Sequence, residues 1–200
     1  MNFHNQMDDI ETKVIQLFAL IAEDLSTATD ALLDGEADAV RVLTEREQMI
    51  DAIYLDVENV VNQQIALQAP MAGDLRFLLS VLRIVPEMER SHDLVVHIAE
   101  CANADLAREL TPKTRGLVSQ LGHITAEMWR RAADSWYRRD PSVAKQLDER
   151  DDDVDTLHEA LLLELARDNT PRPIVITMTL IGRFYERLGD HSVNIARRVV

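Results

Sequence analysis

Four pairs of acidic residues, each spaced four apart, stand at corresponding places in two halves of this 200-residue chain: Glu47/Asp51, Glu89/Asp93, Asp151/Asp155 and Glu186/Asp190. Residues i and i+4 share one face of a helix, so each pair aims two carboxylates at a common point. Two of the pairs lie within a longer phrase, Glu-Arg-x-x-Asp, at 89–93 and 186–190. With 35 acidic residues in the chain, chance alone supplies roughly six pairs at this spacing. Asp30/Asp34, Asp105/Glu109 and Glu164/Asp168 are pairs of that ordinary kind. The four differ because they repeat at matching places and because Glu47 and Glu89 interrupt apolar stripes.

A carboxylate set against a core is costly unless it is paired or bound to a cation. Packed helices would bring Glu47, Asp51, Glu89 and Asp93 together, and likewise Asp151, Asp155, Glu186 and Asp190. Such all-oxygen sets suit hard cations such as magnesium, calcium, manganese or ferric iron. Arg90 and Arg187 offer another solution, a structural salt-bridge network, and on spacing alone the two readings stand level. Glu89-x-x-His92 and, more loosely, Asp155-x-x-His158 have the spacing of ferritin-like di-iron carboxylate proteins. His92, however, aligns with Gly189 and His158 with Tyr54, so the histidines do not follow the duplication. A di-iron enzyme or storage protein therefore ranks below the carboxylate reading, beside a metal-free helical scaffold. His191 is read as a surface residue, with an outer-ligand role the lesser reading. Trp129, Trp136 and Tyr137 read as packing residues, and Cys101 as a small buried apolar one. No Gly-rich phosphate loop, nucleophile elbow or metalloprotease helix occurs, so no catalytic residue is assigned and the chain is not expected to be an enzyme.

The elements that must position these acids are helices. Aromatic residues are 4%, and glycine and proline number six each, a composition that leans away from strands. Breakers divide the chain into six helical stretches at about 5–33, 37–68, 74–108, 111–138, 140–167 and 170 onward. Asp74, Thr111-Pro112, Asp140-Pro141 and Thr170-Pro171 mark helix starts, and Pro86 predicts a kink. Val40, Leu43, Ile50, Tyr54, Val57 and Val61 form one stripe, and Leu75, Leu78, Leu82, Val85, Val96 and Ala99 another. Glu47, Ile50 and Asp51 match Asp151, Val154 and Asp155 at an offset of 104, while Glu89 to Ala99 match Glu186 to Ala196 at 97. The expected architecture is all-α, two tandem three-helix bundles of long antiparallel helices, spanning 1–110 and 111–200.

The formal net charge of −14 opposes binding to phosphate backbones, and the Arg138-Arg139 and Arg197-Arg198 doublets are too short to argue for nucleic acid. A single cysteine allows no internal disulfide and fits a reducing compartment. The first residues lack the pattern of a signal peptide, and no apolar run reaches the ~20 residues of a spanning helix. A cytoplasmic protein without direct membrane insertion is expected.

The phrase Glu186-Arg-Leu-Gly-Asp-His-Ser-Val-Asn-Ile195 resembles the hallmark of the PhoU family of phosphate-signalling proteins. Asp74 to Asp93 resembles that family's first repeat, and Glu47-x-x-Ile-Asp51 and Asp151-x-x-Val-Asp155 resemble its acidic motif on the preceding helix. The resemblance covers the whole chain. It implies two similar three-helix bundles and acidic motifs that bind metal ions, with iron, manganese, zinc or magnesium as candidates. It also implies a negative regulator of the phosphate regulon, linking the ATPase subunit of a phosphate ABC transporter to a sensor histidine kinase. A homodimer is the expected assembly. Ser91-His92 stands where the family has Ile/Leu-Gly, His97 where it has Asn, and Pro86 is unusual mid-helix. These departures bear on the first metal site more than the second. The last helix is expected to end sooner after its motif than is usual in the family.

Overall fold

In the computed structural model of the chain, residues 3–167 and 170–199 are described, and Met1, Asn2, Asp168, Asn169 and Val200 lie outside them. The described residues form helices and turns, with no strand among them. The helices are α1 (Phe3–Asp34), α2 (Asp38–Gln68), α3 (Ala72–Glu100), α4 (Ala104–Glu109), α5 (Pro112–Arg138), α6 (Val143–Leu165) and α7 (Arg172–Ala196). The expected third helix is thus two: α3 stops at Glu100, and the short α4 follows, capped by Asn103 Oδ1 accepting from the Leu106 amide at 2.8 Å.

Local chemistry sets most boundaries. Gly35, at φ 75°, ends α1, with its amide and that of Glu36 both bonding the Ala31 carbonyl. Thr111 Oγ1 caps α5 by accepting from the Thr114 amide, and Pro112 takes the first helical position. Asp74 is not the cap of α3: it lies in the first turn, behind Met71. There its charge meets the positive end of the helix dipole. Nor does Asp140 cap α6, which starts at Val143. Its Oδ1 instead accepts from the amide and hydroxyl of Ser142. Helix α3 runs without a break through Pro86, where the ring removes one backbone donor.

Helices α1, α2 and α3 pack as one three-helix bundle and α5, α6 and α7 as another. The bundles meet along α1 against α5 and α3 against α7, and their buried side chains merge into one cluster. Phe18 and Trp129 meet across the first seam in a tilted contact, with ring centroids 6.1 Å apart. Gly122 faces Thr29 there so closely that a Cβ would overlap it. Thr29 Oγ1 donates to the Leu25 carbonyl and so accepts from the Tyr185 hydroxyl at 2.8 Å. Trp129 Nε1 donates to the Leu188 carbonyl at 3.0 Å. Trp129 and Trp136 are thus packing residues, whereas Tyr137 is exposed. Cys101 is half-buried at the rim of the core. No helix among the described residues is long and apolar enough to cross a membrane.

Candidate metal centres

The outer helix of each bundle, α2 or α6, lies against the helix that carries a Glu-Arg-x-x-Asp phrase, α3 or α7. Both outer helices turn apolar residues inward: Leu43, Ile50, Val57 and Val61 on α2, and Leu147, Val154 and Leu161 on α6. The acids fall at the edge of that buried face. Glu47, Glu89, Asp93, Asp151 and Glu186 are half-buried, while Asp51, Asp155 and Asp190 are exposed.

The two sets of four share their electrostatic fields. Burial, then the negative charge of Asp93 and Asp51, lifts the Glu89 carboxyl above its ordinary range, with Glu47 adding and Arg90 opposing. Asp151 is lifted furthest, from 3.8 to about 7, first by burial and then by Asp190, Asp155, Glu186 and Asp148. Glu186 is also raised by burial, with Arg183 opposing and Asp190 and Asp155 adding. Charges that raise one another in this way favour either a shared proton or a cation.

Two further observations fit a cation in the second set. Arg183 pairs with Glu186 Oε1, but Oε2 of the same carboxylate is buried with no hydrogen-bond partner. Asp151 reaches the seam because α7 has a glycine there: a Cβ on Gly189 would stand 2.6 Å from Asp151 Oδ1. In the first bundle the position of Gly189 is taken by His92, which is buried and faces away, with Nε2 2.9 Å from Asp24 Oδ2. Asp24, wholly buried, also pairs with Arg46. Among the described residues no three His, Cys, Asp or Glu side chains converge tightly enough to hold one ion. Ionised carboxylates without a counterion repel one another, so a bound ion would have to draw them in.

The salt-bridge network proposed for Arg90 and Arg187 does not form. Among the described residues neither guanidinium has an ion-pair partner, and Arg183, Arg150 and Arg46 pair with acids instead. His92 points to Asp24, and so is not drawn to a centre with Glu89. His158 packs on α7 where Gly182 makes room, its ring carbon 2.9 Å from where a Cβ would stand. His191 is half-buried at the α3–α7 seam, with Nδ1 2.8 Å from Ser91 Oγ.

Asp24, Arg46 and the Ser91–His191 contact escaped the sequence reading. Asp24 was legible by the criterion that singled out Glu47. It stands in the spacing of Leu17, Ile21 and Ala28, an acid within an apolar stripe.

Comparison with known proteins bears on the whole chain. The family model for the PhoU domain matches residues 14–102 and again 118–199. A Mycobacterium leprae protein named phosphate-specific transport system accessory protein PhoU homolog 1 is 32% identical over 202 aligned positions, covering 99% of this chain and 90% of the relative. An Aquifex aeolicus accessory protein of the same kind is 31% identical, over 94% of this chain and 86% of its own. The crystal structure of PhoU from Pseudomonas aeruginosa superposes with a TM-score of 0.90 at 25% identity, covering 99% of this chain and 97% of that one.

Proposed function

We propose, from the premise that the chain belongs to the PhoU family, that it is a cytoplasmic, non-catalytic negative regulator of the phosphate regulon. In this reading it is an adaptor between the ATPase subunit of a phosphate ABC transporter and a sensor histidine kinase, and it works as a homodimer. The observation that carries the regulatory role is likeness over nearly the full length to proteins named as accessories of phosphate-specific transport.

We further propose that each seam binds metal ions, iron, manganese, zinc or magnesium. Glu47, Asp51, Glu89 and Asp93 would hold them in the first bundle, and Asp151, Asp155, Glu186 and Asp190 in the second. Oxygen ligation by carboxylates suits such ions. The unpartnered Glu186 Oε2 and the raised Asp151 carboxyl support the second site most strongly. A bound cation would supply charge neutralisation and so hold α6 against α7. Deletion of the coding sequence, followed by measurement of phosphate-responsive transcription at high phosphate, tests the regulatory reading. Derepression is expected, and restoration by the wild-type chain completes the test. Unchanged repression in a strain without a second family member would refute it.

A further inference from the structure

Helix α3 carries Arg76, Arg83, Arg90 and His97 at intervals of seven residues. Seven residues make nearly two turns, so the four lie along one stripe that drifts only about 20° per interval. All four are exposed, while Leu78, Val85, His92 and Ala99 on another side of the same helix are buried. On α7, Leu180, Arg187 and Asn194 repeat the interval, and Arg198 follows one turn later. The two helices run antiparallel in a fixed register. Ser91 Oγ stands 2.8 Å from His191 Nδ1, and the rings of His97 and Phe184 lie 5.8 Å apart. That register sets Arg90 between the levels of Arg187 and Asn194, and Arg83 level with Arg198. Glu87 is the acid inside this face: it bonds Asn194 and lies among the charges of Arg198 and Arg90.

The outer face of the α3–α7 pair is therefore a ridge of arginines on a chain of net charge −14. Its apolar content is a separate observation. Leu79, beside the α3 stripe, is 39% exposed, and Ile176 and Leu180 on α7 are 64% and 52% exposed. By the same register they stand at opposite ends of the ridge. The acidic seams run along its two sides, with Asp93 at one edge and Asp190 at the other.

We propose that this face docks an acidic amphipathic helix of a partner protein, with carboxylates on Arg76, Arg83, Arg90 and Arg187 and apolar side chains on Leu79 and Leu180. From Arg76 to His97 the stripe is about 30 Å long, the span of a ~20-residue helix. Every cation of the ridge apart from His97 is an arginine, whose planar fork suits carboxylates. An apolar face laid in a groove between charged rims is a recurring mode of helix recognition. The flanking seams select against a broad anionic surface such as a lipid bilayer, which would meet their carboxylates as well as the ridge. A single helix, about 10–12 Å across, touches the ridge and avoids them. The inference rests on the adaptor reading, which requires a protein-binding surface, and not on the metal sites.

Fluorescence anisotropy of the full chain with a labelled three-heptad peptide, glutamate and leucine repeating on one helical face, tests it. Saturable binding is expected, at least tenfold weaker for a scrambled peptide of the same composition. It should weaken at least fivefold between about 50 and 500 mM NaCl. R76E/R83E should weaken it at least tenfold, whereas R138E/K145E, an equal change of charge on α5 and α6, should leave it within twofold. The four substituted side chains are exposed, and circular dichroism checks that both variants fold. No saturable binding, equal loss in the two variants, or tighter binding to phosphatidylglycerol vesicles than to the peptide would each overturn the proposal. In the deletion strain the wild-type chain should restore repression and R76E/R83E should not; restoration by both would also overturn it. Unchanged repression on deletion is a different result, and refutes the regulatory reading on which the docking site rests.

Discussion

Gly189→Ala separates the fold from the site with a single methyl group. The added Cβ would stand 2.6 Å from Asp151 Oδ1, but the next neighbours, Met128 Cε and Val154 Cγ1, lie at 3.7 and 3.8 Å. What must yield is therefore the end of a short polar side chain, not backbone. Overpacking at a rigid site costs about 1–3 kcal/mol. Here the carboxylate can swing toward water, and Ala in place of Gly within a helix returns up to about 1 kcal/mol. The methyl group should thus leave the helix pair intact and expel Asp151 from the seam.

The consequence is a change in how stability depends on pH. Asp151 is raised from 3.8 to about 7, so the folded chain holds a proton that the unfolded chain has released. That contribution is fully present below the unfolded value and is lost as pH rises through the folded one. The displacement corresponds to about 4 kcal/mol, and partial solvent exposure and screening reduce the net to ~1–2 kcal/mol. Urea unfolding of chelator-treated protein at pH 5 and pH 8 is the assay. The wild type should lose ~1–2 kcal/mol more than Gly189→Ala over that interval, and the variant should bind metal at least tenfold more weakly at the second seam. Equal pH slopes together with equal metal affinity would refute the argument that Gly189 admits Asp151.

Three other outcomes follow from the same packing. Glu186→Ala with Asp190→Ala should lower bound metal at the second seam and spare the first, as read by elemental analysis of the purified protein; equal loss at both would contradict independent sites. Asp24→Ala leaves Arg46 and His92 without their buried partner and should cost about 3 kcal/mol or more in urea unfolding; a cost below about 1 kcal/mol would show that the pair adds no net stability. Tyr185→Phe removes the hydrogen bond between Thr29 of α1 and the Tyr185 hydroxyl and should cost about 1 kcal/mol, with no change in metal content.

The helical architecture was legible because the apolar stripes repeat with helical spacing and the breakers are few. Thr111-Pro112 and Gly35 marked ends through backbone chemistry that acts locally. The end of α3 was not legible in that way. Cys101 to Asn103 contain neither glycine nor proline, and the chain turns there because Asn103 caps a new helix. Asp74 and Asp140 looked like caps, yet the backbone places them in a first turn and in a preceding turn. The acid sets could be read from the duplication. Which acids would lie half-buried depends on how closely two helices approach, and at the second seam glycine on the facing helix sets that distance.

The duplication therefore does not yield two copies of one site. Moving 104 positions along the chain carries Glu23, Asp24, Arg46 and Glu47 onto Glu127, Met128, Arg150 and Asp151. The Arg46–Glu23 bridge recurs as Arg150–Glu127, so the frame holding the outer helix to its neighbour is retained. What differs is the interior beside the acids. In the second bundle Met128 and Gly189 leave an apolar gap that Asp151 enters, at the cost of a carboxyl raised to about 7. In the first, Asp24 and His92 fill that gap with a hydrogen-bonded pair, and Glu47 has one more methylene with which to reach the seam from further out. A desolvated carboxylate gains more from a cation than a solvated one, because the field it faces is less screened. The second seam should consequently fill first when metal is added back to stripped protein. Titration followed by NMR of the α6 and the α2 amides would show this as two separate steps, and simultaneous filling would mean that the Asp24–His92 pair has no bearing on affinity.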